Sequence, residues 1–166
     1  MTAIADRFRR WFEYEQDAHT KVVRSLETVP AERQTSTEYK RAVSILGHIA
    51  AARGIWLFRL GAAAKPPAAM FPENVALADV AADLDRIHSQ WADYLSGLTD
   101  EQLARTFDYQ SLDAGRFRNR IEEILTQLFG HSWYHRGQIA ILVRQAGGTP
   151  AATDFVYWCR ERLGSP

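Results

Sequence analysis

Five histidines and a single cysteine hold most of the metal-binding and nucleophilic capacity of this 166-residue chain. The densest stretch is Gly130-His131-Ser132-Trp133-Tyr134-His135-Arg136-Gly137-Gln138-Ile139. Residues four apart on a helix stand one above the other, with Cβ atoms roughly 5–6 Å apart, so His131 and His135 can close on one ion. They fall on an apolar stripe that runs through Ile121, Leu125 and Leu128 and resumes at Ile139 and Leu142, which turns both imidazoles inward. A buried imidazole loses hydration and needs a partner, and two side by side resist joint protonation. A metal cation removes both difficulties. Spacing alone leaves an equal alternative, in which the rings bond to backbone or water at a wet end of a bundle or sit on the surface.

His48, inside Ile45-Leu46-Gly47-His48-Ile49, interrupts a second apolar run and is the candidate third ligand. Its small neighbours Gly47, Ala50, Ala51 and Ala52 would let another helix approach closely. Three neutral imidazoles leave positions open for water and substrate, the usual plan of a catalytic zinc site. Zinc or nickel suits the donor set first, and iron or manganese is compatible with it. Two other metal patterns fail. The zincin motif requires glutamate directly after the first histidine, where this chain has Ser132. A carboxylate-bridged di-iron bundle requires Glu-x-x-His, and the nearest imitation is Asp85 with His88.

The remaining chemistry-bearing residues read less sharply. His88, near Asp85 and Gln90, and His19, among Asp17, Thr20 and Lys21, read as surface residues. Gln138 is equally a site donor and a packing amide. Arg136, rotated about 100° from His135, suits a structural ion pair or an interface. Trp133 and Tyr134 read as packing or dimer residues, Trp56 as core, and Cys159 as a small buried hydrophobe.

Helices must carry these side chains. Ile4, Phe8, Trp11, Phe12, Ala18, Val22 and Leu26 predict a helix over 3–26 that Pro30 ends. A second starts after Ser36 or Thr37 and runs to Gly61 as C-cap. The stretch 61–72, with three prolines, reads as a crossover loop. A third helix covers 78–95, after which Gly97 and Thr99-Asp100-Glu101 open an irregular region. Phe107 and Tyr109, then Ser111-Leu112-Asp113-Ala114-Gly115 and Phe117, suit a small hairpin. A fourth long helix covers 117–145, and a short last one covers 154–163 with Thr153 as N-cap. The sum is an all-α, four-helix bundle in a single domain over 1–166, whose centre can host a metal or ligand.

Composition narrows the function classes. With 20 basic against 20 acidic residues the formal net charge is zero, so the broad positive field that nucleic acid demands is missing. One cysteine excludes a disulfide framework and thiolate-rich metal sites. No stretch approaches the ~18 apolar residues of a membrane span, and the expectation is a cytoplasmic protein that acts on a small molecule.

The chain resembles the DinB/YfiT-like family, which is unrelated to the DNA polymerase that shares the name. The resemblance rests on His48, on His131-x-x-x-His135-Arg136-Gly137-Gln138-Ile139, and on Pro150-x-x-Thr153-Asp154-Phe155, and it extends over the whole chain. It implies an up-up-down-down four-helix bundle, a divalent ion held by His48, His131 and His135, and a homodimer. It also implies a thiol-dependent transferase or isomerase, in which the metal binds the sulfur of a low-molecular-weight thiol and favours its thiolate. Two competing readings are a metal-dependent hydrolase and a non-catalytic bundle whose metal is structural and which binds a small ligand or partner.

Overall fold

Helix α1, Ile4–Glu27, buries Phe8, Phe12, Glu15, His19, Val22 and Leu26, an alternation of steps of three and four that keeps one face inward. The computed structural model describes residues 3–112 and 114–163, so Asp113 of the expected hairpin turn lies outside the described residues. Helix α2, Thr37–Arg59, starts where Ser36 accepts a hydrogen bond from the Tyr39 amide at 3.2 Å. It stops before Gly61, whose φ of +78° suits a residue without Cβ just past a helix end. Helix α3 spans Leu77–Ser96, and α5, the longest, spans Ile121–Gln145.

Residue pairs between helices fix their directions. Arg9 meets Leu95 and His19 meets His88, so α1 and α3 are antiparallel. Phe8 meets Phe129 and Glu15 meets Arg136, so α1 and α5 are parallel. An added Cβ at Gly47 would meet Val80 and one at Gly54 would meet Ile87, so α2 runs parallel to α3. The expected bundle is present, with two helices pointing each way. Along the chain the order reads up, down, down, up rather than the up-up-down-down that the resemblance implied, because the short turn 28–36 reverses the chain between α1 and α2 while residues 60–76 return along the bundle to the start of α3. Leu26, Leu46, Ile49 and Leu57 are fully buried between the four helices, each contributing about 1.5–3 kcal/mol of transfer free energy.

Three boundaries differ from the sequence reading. The region after Gly97 contains helix α4, Asp100–Ala104, started by a capping box in which Thr99 and Gln102 satisfy each other's backbone amides. The expected hairpin is formed by β1, Thr106–Gln110, and β2, Arg116–Arg120, paired antiparallel with Tyr109 opposite Phe117. Because β2 takes residues 116–120, α5 begins at Ile121 rather than Phe117. The last helix, α6, is only Phe155–Cys159; its N-cap is Asp154 rather than Thr153, and none of its residues is fully buried. No helix among the described residues is long and apolar enough to cross a membrane.

A buried ion network ties three of the helices. Glu15 is 0% exposed, and both of its oxygens accept from guanidiniums: Oε2 from Arg53 of α2 at 2.6 Å and Oε1 from Arg136 of α5. Arg53 also donates to Ser132 Oγ, and Arg136 to the Tyr14 hydroxyl, which in turn donates to the Thr153 carbonyl. Arg136 thus fills the ion-pair role its position suggested. Removing one member of such a buried pair leaves uncompensated charge in a low-dielectric interior, at a cost of about 3–5 kcal/mol. Glu15→Gln is expected to lower the melting temperature by roughly 6–20 °C, whereas Asp83→Asn, which breaks an exposed pair with Arg86, should leave it nearly unchanged. A melting curve of each variant checks this.

Candidate metal centre

Helices α2 and α5 pack face to face and bring His48, His131 and His135 together. His48 is 8% exposed, and the other two rings are half-buried. Nε2 of His131 lies 3.1 Å from Nε2 of His48 and 3.1 Å from Nε2 of His135. One ligand atom from each of the three lies within 4.8 Å of the other two.

The far side of two rings fixes which nitrogen carries hydrogen. His48 Nδ1 lies 2.7 Å from the Met70 carbonyl, and His135 Nδ1 lies 2.8 Å from Gln138 Oε1. Both partners are acceptors, so each Nδ1 donates and each neutral ring turns an Nε2 lone pair to the centre. His131 has at most one Nε2 proton to set between two such lone pairs. The cluster is therefore electron-rich and short of donors, which fits a cation. Four tetrahedral ligands at the usual zinc–nitrogen distance stand about 3.3 Å apart, close to the separations seen here.

Electrostatics keeps two of the rings, His131 and His48, in the ligating state. Burial first, then His135, His48 and Arg53, push the His131 pKa down to about 4. Burial also lowers His48, opposed by its bond to the Met70 carbonyl. Both are neutral at pH 7, as coordination requires.

The sequence reading missed the residues that hold His48. Residues 70–72 of the crossover lie on α2: Met70 bonds the ring, and Phe71 stacks on it at 4.3 Å between centroids and 7° between planes. Gly47 makes room, because a Cβ there would stand 2.6 Å from Pro72 Cγ. Gly47 thus admits the crossover as well as α3. Gln138, left open between two roles, bonds His135. Trp56 contacts Tyr109 and Arg59 instead of the centre. Trp133 and Tyr134 are 46% and 66% exposed, and Tyr134 meets His135 edge-on. Cys159 is partly exposed rather than buried, because α6 lies on the outside of the bundle.

His19 and His88 are not on the surface. They are 1% and 6% exposed, with His19 Nδ1 3.0 Å from His88 Nε2 and the rings stacked parallel. The signal was present: His19 continues the steps Phe8, Phe12, Glu15, and His88 the steps Val80, Leu84, while Asp17, Thr20 and Asp85 lie around the side of each helix.

Comparison with known proteins gives a consistent likeness. The sequence pattern of the DinB family matches residues 1–162. Protein DinB of Bacillus subtilis (strain 168) is 36% identical over 55 residues, which cover 33% of this chain and 32% of that protein. The match thus spans about a third of the curated relative's length. The crystal structure of a DinB-like protein from Bacillus cereus superposes with a TM-score of 0.68 at 20% identity, over 90% of this chain and 97% of that one. That likeness is one of fold.

Burial and the nearby Arg53 charge push His88 down to about 4, and burial drives His19 well below its ordinary value. The unfolded chain protonates these rings near pH 6.5, so it binds more protons than the folded chain below that pH. Their contribution is complete above about pH 6.5 and is lost as pH falls through about 4. In the presence of chelator, melting temperature should fall from pH 7 to pH 5, and the double variant His19→Gln, His88→Gln should fall less steeply. Parallel slopes in the two proteins would show that this pair does not set the acid limit.

Proposed function

Since the chain belongs to the DinB family, we propose that His48, His131 and His135 hold one divalent ion in a thiol-dependent transferase or isomerase acting on a small molecule. The observation that carries the reading is the convergence of three imidazole nitrogens, two with lone pairs fixed inward by Met70 and Gln138. A bound divalent ion supplies Lewis acidity, which lowers the pKa of a thiol or water at an open position toward neutrality.

The chain's own residues fix the rings, exclude water from one side of His48 with Phe71, and keep His131 unprotonated. Among the described residues no Asp or Glu oxygen joins the three nitrogens within 4.8 Å. A ligand cluster with no carboxylate oxygen among its members suits a nucleophile that is already acidic. A thiol, with pKa near 8.5, is that nucleophile, while water needs far more assistance. In a transfer the S–H bond would break with its proton passing to solvent, the sulfur electron pair would form the new S–C bond, and the bond from that carbon to its leaving group would break, the leaving group departing with that electron pair.

Protein purified without an affinity tag should contain, or take up, about one equivalent of zinc or nickel, and His135→Ala should lose it. Negligible metal in both would sink the centre. Gln138→Leu removes no ligand but frees the His135 ring, and should weaken metal binding about 10–100-fold. Metal-loaded protein should then consume a thiol together with an electrophile; no consumption across a panel of cellular thiols and electrophiles would overturn the transferase reading while leaving the metal centre standing.

A further inference from the structure

The crossover that holds His48 also roofs a cavity. Pro67 lies 3.9–4.0 Å from where a Cβ of residue 54 would stand, and Pro72 seats on Gly47. Gly47 and Gly54 are seven residues apart on α2, about 10 Å along the axis. Between those two contacts Ala68 and Ala69 lie across from Ala50 and Ala51, and the space enclosed with Val80 and Ile87 of α3 is about 590 Å³. Close packing leaves few voids in a small domain, and this one falls among the sizes of small-molecule sites, about 300–1,000 Å³. Prolines at both ends brace the roof, so the slot stays open without an occupant. Its floor carries no side chain longer than a methyl group, which leaves it flat. The charged residues around it, Lys65, Glu73, Asp79, Asp83 and Arg86, are all exposed and so belong to the mouth. Arg86 is already paired there with Asp83 at 3.0 Å and with Gln90 at 3.3 Å. Water inside finds few partners, and the mixed signs at the mouth steer neither an anion nor a cation inward.

We propose that this cavity is a second binding site, for a flat, uncharged, apolar molecule of about two rings, and that its occupant strengthens metal binding by bracing the crossover. Met70, whose carbonyl accepts the hydrogen bond of His48 Nδ1, lies between Pro67 and Pro72 in the chain. The segment that roofs the cavity is therefore the one that orients a ligand ring. An occupant beneath it reduces the freedom the segment loses when the ring is fixed for an ion, and by linkage the ion favours the occupant equally. The coupling rests on the proposed metal centre, whereas the cavity stands without it.

The probe is N-phenyl-1-naphthylamine, which is uncharged and fluoresces strongly only in apolar surroundings. With the metal-free protein its fluorescence should rise and saturate at about one equivalent. Ala51→Leu fills the slot from the floor and Ala68→Leu from the roof, and each should weaken the probe at least about tenfold. Ala92→Leu, on the exposed side of α3, adds the same side chain elsewhere and should leave it unchanged. Melting curves show which variants keep the fold, and a floor variant that loses it leaves the roof variant to decide. Zinc should tighten the probe at least about fivefold, and the probe should tighten zinc by the same factor. No saturable binding overturns the site, and so does unchanged affinity in the filled variants. Equal probe affinity with and without zinc, in a protein that binds zinc, overturns the coupling. Failure to bind zinc overturns the metal centre and the coupling with it, while saturable binding lost in the filled variants still upholds the site.

Discussion

The centre depends on one buried carboxylate. Glu15 stands on α1, which contributes no ligand, yet its two oxygens hold Arg53 and Arg136. Arg53 lies five residues beyond His48 on α2, and Arg136 directly follows His135 on α5. Both ligand-bearing helices are thus referenced to the same point, and a slide of either along its axis would break a charge-assisted bond where water cannot replace it. Two cations share one anion, so the cluster keeps a positive balance. That balance reaches the centre through Arg53, which is among the causes that hold His131 unprotonated. A positive neighbour of this kind opposes protonation of the rings and would favour an anion beside them.

The crossover gives the site its second wall. Its prolines restrict the unfolded chain as well as the folded one, so less entropy is lost when residues 60–76 settle against α2 and α3. The contact that sets its height is Pro72 against Gly47. Glycine in a helix interior is unfavourable by about 1 kcal/mol relative to alanine, and here it allows a loop to reach the backbone of α2 beside a ligand. The position of Gly47 next to His48 therefore belongs to the construction of the centre.

Much of this was legible in the sequence, and the parts that were not share a cause. The long helices could be read because each buries one continuous stripe, and His48, His131 and His135 because they replace hydrophobes within such stripes. Capping residues located the start of α2 at Ser36. The same signal was passed over in Asp100–Ala104, where Thr99 and Gln102 form a capping box around a helix too short to show a stripe. Met70 and Phe71 could not be found by pattern. Their relation to His48 arises from the return path of a loop, and no local periodicity encodes it. Glu15 was hidden for a related reason: it is a charged residue on the buried face of an otherwise ordinary amphipathic helix, and only its partners on two other helices make it tolerable there.

The two groups of inward-facing histidines show what periodicity can and cannot decide. All five rings continue inward stripes, so helix geometry alone would treat them alike. Their hydrogen bonding separates them. His19 and His88 are a pair, and one proton between Nδ1 of the first and Nε2 of the second satisfies both, while the other nitrogen of His19 faces Glu15 at 3.5 Å. The group of three cannot close in this way. Met70 and Gln138 take up the protons of two rings on the outer side, which leaves two lone pairs turned toward a third nitrogen with at most one proton. In the first group, neutral imidazoles close the contact between the two rings with a single proton, although His19 Nε2 is left without a hydrogen bond. The second has an unfilled need for positive charge at its middle, and the depressed proton affinity of His131 makes a proton a poor answer to it. A metal ion meets that need with all three rings neutral, which is why the centre on α2 and α5 reads as a binding site and the pair on α1 and α3 as part of the core.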